Sequence, residues 1–467
     1  MTEIIKKFTR REFIDRTAKG AAGLVGFSLL KNPLLNAADF SSNRSTVVIV
    51  KHDNASRIEN QGNKKAYLIE QEIAQGMVDA GIRSLTGIED VAEAWKSLFP
   101  GIIQNKVIGI KLNCIARQDN PVGLASHPEV IYSIVNGLTR MQVEGSSFPA
   151  ENIIIWDRAE FEIERSDFII NKGNKGVKCY GTRYEIMREG QDAGGYSTAV
   201  KCNIAGTEQY LSEILVDKID YLVNTCLLKD HVYSGVTLSL KNHYGSCWAP
   251  LKIHSGYCNP YIPALNTLPP IKDKQVLCLC DAIYGIRSGG PMGPPQVTPN
   301  SIILSKDTVA LDTIGAEMLK EFGTSNYTLS KAKHIATAAK APYNLGTNDR
   351  NQIDVINIDN PSTGVADGNK KKAMSDDFRL FQNYPNPFNA QTTISYQLFK
   401  PSRVKINIFN VHGALVRNLI DEYQNSGYYR ILWDGNNSNG IPAPSGTYLG
   451  RVLINDIQQT IRMSLIK

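Results

Sequence analysis

The 467-residue sequence has no apolar run approaching the roughly 18–20 residues that cross a bilayer as a helix, which excludes a helical transmembrane segment. Its glycine-rich stretches are not followed by GK[ST], so a nucleotide P-loop is excluded. It has no C-x-x-C-x-x-C run and therefore no motif for an iron–sulfur cluster. Cysteine is missing from the last third: all eight lie between Cys114 and Cys280. The formal net charge is only +6. What is present is ordinary for a folded chain, with 42% hydrophobic and 21% charged residues. At about 100–200 residues per domain, that length suggests two to four domains.

The small basic excess is concentrated at the start. Lys6, Lys7, Arg10, Arg11, Arg16, Lys19 and Lys31 face only Glu3, Glu12 and Asp15, so residues 1–38 carry four of the six net charges. A basic stretch followed by a weakly apolar, glycine-containing run from Gly20 to Leu30 has the order of an export signal. Arg10 and Arg11, followed by Phe13 and Ile14, resemble a twin-arginine (Tat) signal. Cleavage is expected near Ala37 or Ala38. By that resemblance the Tat translocase is a partner, and the cargo crosses the inner membrane already folded, often around a metal or another cofactor. The charge is an address and not a nucleic-acid footprint.

Composition changes again after Ile358. Residues 359–377 are rich in Asn, Asp, Gly, Ser and Lys, as in a linker. Alternating Ile394, Tyr396, Leu398 and Val404, Ile406, Ile408 predict short strands, as do 428–433 and 448–454. A small β-sandwich accounts for them. The run Asn383-Tyr384-Pro385-Asn386-Pro387-Phe388-Asn389 is joined by Trp433-Asp434-Gly435, Ser445-Gly446-Thr447-Tyr448 and the closing Met463-Ser464-Leu465-Ile466-Lys467. Together they resemble a type IX secretion C-terminal sorting domain, whose fold is similar to the immunoglobulin-like domain of flagellar hook-capping proteins. The resemblance implies the type IX secretion machinery as a second partner. The destination is then the cell surface or the extracellular medium.

Between these two addresses, short apolar runs at 46–50, 107–112, 153–156, 221–225, 276–280 and 302–304 suit buried parallel strands. Helical spacing links Ile69, Ile73, Met77 and Ala80. A firmer helix follows Ser126, with Pro128 in its first turn, Glu129 completing a capping box, and Val130, Ile131, Ile134, Val135 and Leu138 on one face. Asp307 is placed to cap another helix. The expected core, residues 39–358, is therefore α/β, with a mostly parallel sheet covered by helices.

Two stretches at strand ends are richer in chemistry than packing requires. Residues 227–245 hold Lys229, Asp230, His231, Lys241, Asn242 and His243, and 280–295 form a Gly/Pro-rich loop containing Asp281, Gly289, Gly290 and Gly293. Sites in α/β folds gather beyond the carboxyl ends of strands. Lys229 and Lys241 would bind a small anion there, His231 would act as acid/base or metal ligand, and Asn242 would donate a hydrogen bond. Asp281 would orient a lysine or hold a cation, and the Gly289–Gly293 loop would supply backbone amides. Lys229-x-His231, Gly235-Val236-Thr237, Lys241-Asn242, Gly245, Asp281-Ala282-Ile283, Gly289-Gly290-Pro291-x-Gly293 and Asp307–Asp312 together resemble the family of domain of unknown function 362. The family implies no established activity.

The cysteines read mostly as buried small hydrophobes, with one or two bridges such as Cys247–Cys258. The leading reading is an exported protein with an enzyme-like site for a small anionic ligand, metal-assisted or not. The alternative is a non-catalytic surface or ligand-binding protein whose Lys/His/Asn cluster is a structural network.

Overall fold

The computed structural model describes residues 44–61, 64–115, 123–184, 194–361, 378–380, 383, 388–398, 400–425, 427–455 and 457–466. The export signal with Arg10 and Arg11, most of the 359–377 linker and Tyr384–Pro387 lie outside these residues. Contacts divide the chain into two compact units between residues 364 and 365.

The first unit is built on a nine-stranded sheet: β1 (Ser45–Lys51), β2 (Ile108–Lys111), β3 (Ile153–Ala159), β4 (Lys178–Arg183), β5 (Tyr221–His231), β6 (Gly235–Thr237), β7 (Gln275–Ile286), β8 (Ser301–Ser305) and β9 (Ile353–Asp359). Its order is β9-β1-β8-β7-β5-β2-β3-β4, with β6 paired to β5. All six apolar runs expected to be strands lie in it. The sheet is mixed, however, which corrects the expectation of a mostly parallel one. β8 is antiparallel to both β1 and β7, and β6 folds back antiparallel on β5. The reason lies in the connections. A parallel neighbour needs a crossover, usually a helix, whereas β7 reaches β8 through the Gly/Pro loop and β5 reaches β6 through a short turn.

Successive residues of the buried strands face opposite layers. Val223 and Leu227 of β5 join Val48, Ile110, Ile155 and Leu279 in one core, while Leu222, Cys226 and Leu228 join Val47, Ile154, Cys280 and Ile303 in the other. The first layer is covered by α1 (Gln71–Thr86), α2 (Val91–Ser97) and α3 (Pro128–Arg140). α3 buries the predicted Val130, Ile131, Ile134, Val135 and Leu138. Its capping box does not form, because His127 is the N-cap and the Ser126 hydroxyl instead accepts the Asn113 amide at 2.8 Å. The second layer is covered by α4 (Ser239–Asn242) and α5 (Thr308–Glu321). As expected, Asp307 caps α5, accepting from the amides of Val309 (2.8 Å) and Ala310 (2.9 Å).

The second unit is a β-sandwich. One sheet holds β10 (Phe378–Leu380), β11 (Thr392–Leu398) and β14 (Gly427–Trp433); the other holds β12 (Ser402–Asn410), β13 (Leu415–Gln424), β15 (Gly446–Ile454) and β16 (Ile457–Leu465). All strand pairs are antiparallel. Ile394, Tyr396, Leu398, Val404, Ile406 and Ile408 point inward, packed around the buried Trp433.

Candidate functional site

The segment from β5 to α4 carries most of the predicted residues. β5 follows β7 in parallel, with a register shift between Leu227 and Leu228, before the chain turns back as β6. The single turn of α4 is too short to stand alone. Asp312 of α5 anchors it, accepting from the Ser239 amide (2.8 Å), the Ser239 hydroxyl (2.6 Å) and the Leu240 amide (3.1 Å). Burial pushes the Asp312 carboxyl up to about 7, although these three donors favour its charged form. α4 thereby presents Lys241 to one side and Asn242 to another.

Lys229 and Asn242 meet through a third residue. Lys229 is fully buried, and its Nζ donates to the Leu124 carbonyl, to Asn113 Oδ1 (3.2 Å) and to the Ile115 carbonyl (3.4 Å). Asn113 Nδ2 donates to Asn242 Oδ1 at 3.0 Å. Both hydrogens of Asn242 Nδ2 are already engaged, by Asn224 Oδ1 (2.8 Å) and the Thr225 carbonyl (2.9 Å). Burial lowers Lys229 to about 7. Its three donors match three protein acceptors, an arrangement that leaves none over for a ligand.

The glycine loop and Asp281 are also committed, in ways the sequence did not disclose. The amides of Gly289 (3.1 Å) and Gly290 (2.7 Å) donate to the carboxylate of Asp230, so they bind an anion that the protein itself provides. A Cβ at Gly290 would stand 2.2 Å from the Asp230 carbonyl oxygen. Gly293 accepts the Leu124 amide at 2.8 Å. Asp281 orients a histidine and no lysine: its Oδ2 is 2.6 Å from His127 Nδ1.

Lys241 and His231 form a second cluster with residues that sequence reasoning did not single out. Lys241 Nζ lies 3.3 Å from His254 Nε2 and 4.1 Å from the centre of the Tyr244 ring. His254 Nδ1 is 2.7 Å from the Pro250 carbonyl, so it carries the hydrogen and Nε2 accepts from the lysine. His231 Nδ1 accepts from the amides of Tyr233 (3.0 Å) and Ser234 (3.2 Å), which leaves the hydrogen of the neutral ring on Nε2. The His231 and His254 rings are 5.9 Å apart. His334 is fully buried with neither ring nitrogen hydrogen-bonded, and the charge of Lys241 reaches it. Burial, followed by the charge of Lys241, holds His231, His254 and His334 at about 2, 4 and 3, so all three are neutral near pH 7. Burial lowers Lys241 itself to about 8, and it makes no salt bridge among the described residues.

A buried ion pair closes the neighbourhood. Lys111 Nζ at the end of β2 donates to Asp157 Oδ1 (2.6 Å) and to the Leu112 carbonyl (2.7 Å), while Asp157 Oδ2 accepts the Cys114 amide (2.7 Å). Lys111 inside the apolar run 107–112 and Asp157 directly after the run 153–156 were the legible signal for this pair. Gly245 is required beside it, since a Cβ there would come within 2.7 Å of Lys111 Nζ. All eight cysteines are free and buried, so the expected Cys247–Cys258 bridge is absent. The thiols of Cys247 and Cys258 instead point at the carbonyls four residues back, those of His243 and His254. Among the described residues no group of three His, Cys, Asp or Glu side chains is arranged to hold a metal ion. A cavity of about 410 Å³ lies elsewhere, lined by Lys172, Lys178, Glu213 and Lys218 among others.

Residues 108–317 match the family described as Domain of unknown function (DUF362), and residues 386–453 match the FlgD Ig-like domain. The first match lies within the core unit and the second within the sandwich. No curated protein matches the chain. Among solved structures, dimeric latent PorU from Porphyromonas gingivalis is 20% identical over 19% of this chain and 9% of its own, with a TM-score of 0.17. FlgD from P. aeruginosa is 26% identical over 16% of this chain and 60% of its own, with a TM-score of 0.14. A structural-genomics protein from Thermotoga maritima is 9% identical over 56% of this chain and 61% of its own, with a TM-score of 0.31. The chain thus spans less than a tenth of the PorU chain.

Proposed function

We propose that the core unit is an enzyme-like domain that holds a small anion, a phosphate or carboxylate group, between Lys241, His231 and His334. The observation that carries this reading is His334, a fully buried imidazole with both nitrogens unpartnered among the described residues and within electrostatic reach of the Lys241 ammonium, which makes no salt bridge among them. An orphaned buried polar group costs about 1–3 kcal/mol. An anion would accept from Lys241 Nζ, from His231 Nε2–H and from one nitrogen of His334, relieving that cost and neutralising the lysine together. His254 positions Lys241 from the other side. For Lys229 and Asn242 the closed hydrogen-bond network favours a structural role, which is the second reading in part. A resident metal finds no ligand set among the described residues.

The reading places this domain outside the cell. The Arg10-Arg11 signal would take the folded chain across the inner membrane, and the C-terminal sandwich would address it to type IX secretion, to be kept at the surface or released. Fractionation of cells expressing the full chain tests that part. Arg10→Lys with Arg11→Lys should strand the protein in the cytoplasm; unchanged export would refute the signal.

Calorimetric titration of the full chain with inorganic phosphate tests the site. Saturable binding should weaken at least tenfold in Lys241→Met and again in His334→Phe, while Lys405→Met on the sandwich leaves it unchanged. Equal binding in all of them would overturn the proposal.

A further inference from the structure

The His127–Asp281 pair is used by none of the chemistry above, and its geometry is that of an oriented base. Asp281 lies within β7 and is 2% exposed, and its Oδ1 is fixed by the Ile283 amide at 3.2 Å. That leaves Oδ2 for His127 Nδ1 at 2.6 Å. The contact fixes the tautomer, with hydrogen on Nδ1 and the lone pair on Nε2. The His127 side chain is 15% accessible, against 2% for its partner, and among the described residues Nε2 has no hydrogen-bond partner. The Tyr284 ring, 5.7 Å away, backs the imidazole, and its hydroxyl is tied to the carbonyls of Arg57 and Leu68. As the N-cap of α3, His127 makes no side-chain capping bond, so the helix start does not explain its orientation.

We propose that His127 and Asp281 form a proton-transfer dyad whose ligand class is a hydroxyl compound, water included. The O–H bond of that group breaks, its proton goes to His127 Nε2, and the electron pair stays on the oxygen. The resulting imidazolium shares its charge with the Asp281 carboxylate, and the reverse transfer restores the resting state. Asp281 is a positioning residue, since it acts through His127. The charged groups facing the ring are Asp281 from β7, Glu129 from α3 and Lys229 from β5. Burial and Lys229 disfavour the imidazolium, but Asp281 and Glu129 outweigh them and the pKa is raised. A raised pKa makes the ring a stronger proton acceptor, as such transfers require. The dyad does not depend on the anion site.

Diethyl pyrocarbonate acylates accessible, unprotonated imidazole and serves as the probe. On the full chain, mapped by mass spectrometry across pH, His127 should be modified with a midpoint above the ordinary imidazole value of about 6.5. In Asp281→Asn the midpoint should fall by at least one pH unit. If Asp281→Asn does not fold, ¹⁵N chemical shifts of the wild-type ring decide the matter, with Nδ1 protonated and Nε2 bare above the midpoint. An unmodified His127, an unchanged midpoint or a bare Nδ1 would overturn the dyad. Phosphate binding at Lys241 would be untouched by any of these results.

Discussion

At the scale of single residues, the buried Lys229 and Lys241, unlike the ion-paired Lys111, make no salt bridge among the described residues. Lys229 and Lys241 are held by burial at about 7 and 8, below the ordinary 10.5 of lysine. Between those values the unfolded chain binds protons that the folded chain has released, so stability rises with pH. Buried thiols act in the opposite sense. Cys179 and Cys278 are pushed up to about 12 from 9, so above pH 9 the unfolded chain loses protons that the folded chain keeps. The unfolding free energy from urea denaturation should therefore climb from pH 7 to about 9, by on the order of 1 kcal/mol per pH unit, and then level or fall. Lys241→Met should flatten the climb by roughly half, on the same two-site linkage. An unfolding free energy that falls from pH 7 to 9 would show that the lysines are not buried as described. The sequence displayed Lys229, His231, Lys241, Asn242 and Asp281 through their density at strand ends. It did not display His254, His334 or His127, each isolated in sequence and assembled only by the fold.

Among elements, the short α4 is the hinge of the account, because it turns Lys241 toward the histidines and Asn242 into the asparagine network. It depends on Asp312, a residue 73 positions from Ser239 in sequence. Asp312→Ala would leave the buried amides of Ser239 and Leu240 unpaired, at about 1–3 kcal/mol each, while the Ser239 hydroxyl keeps Thr308 as a partner. It should lower stability by about 3 kcal/mol or more and weaken phosphate binding with it, read by urea denaturation and calorimetry. Stability held at the wild-type value would show that α4 stands without its anchor. Gly245→Ala should also destabilise, since the new Cβ intrudes on the Lys111–Asp157 pair, and breaking a buried pair costs about 3–5 kcal/mol. The Asp307 cap and the apolar face of α3 were legible because they are local. The engagement of the Gly289 and Gly290 amides was not legible because their partner, Asp230, lies 59 and 60 residues away.

For the whole molecule, the division into an α/β core and a β-sandwich was readable from composition and from alternation along the strands. The direction of β8 was not: an apolar pentapeptide carries no sign of its orientation, which its connection decides. β13 was missed in the sandwich because Arg417, Asn418, Asp421 and Glu422 interrupt its alternation on an edge strand. The sandwich rests on Trp433, which packs edge-on to Tyr448 with ring centres 5.1 Å apart and donates to the Asn436 carbonyl at 2.9 Å. Trp433→Ala in the full chain should cost about 3–5 kcal/mol. Hydrogen exchange at the Ile406 and Val452 amides would register that loss, and unchanged protection would contradict the packing described.

The central claim, a small anion held between Lys241, His231 and His334, is tested most directly by ¹⁵N-histidine NMR of the full chain titrated with inorganic phosphate. The account predicts saturable shifts at His231 Nε2 and at one nitrogen of His334, both lost in Lys241→Met. Shifts confined to the exposed His412, or none at all, would contradict it.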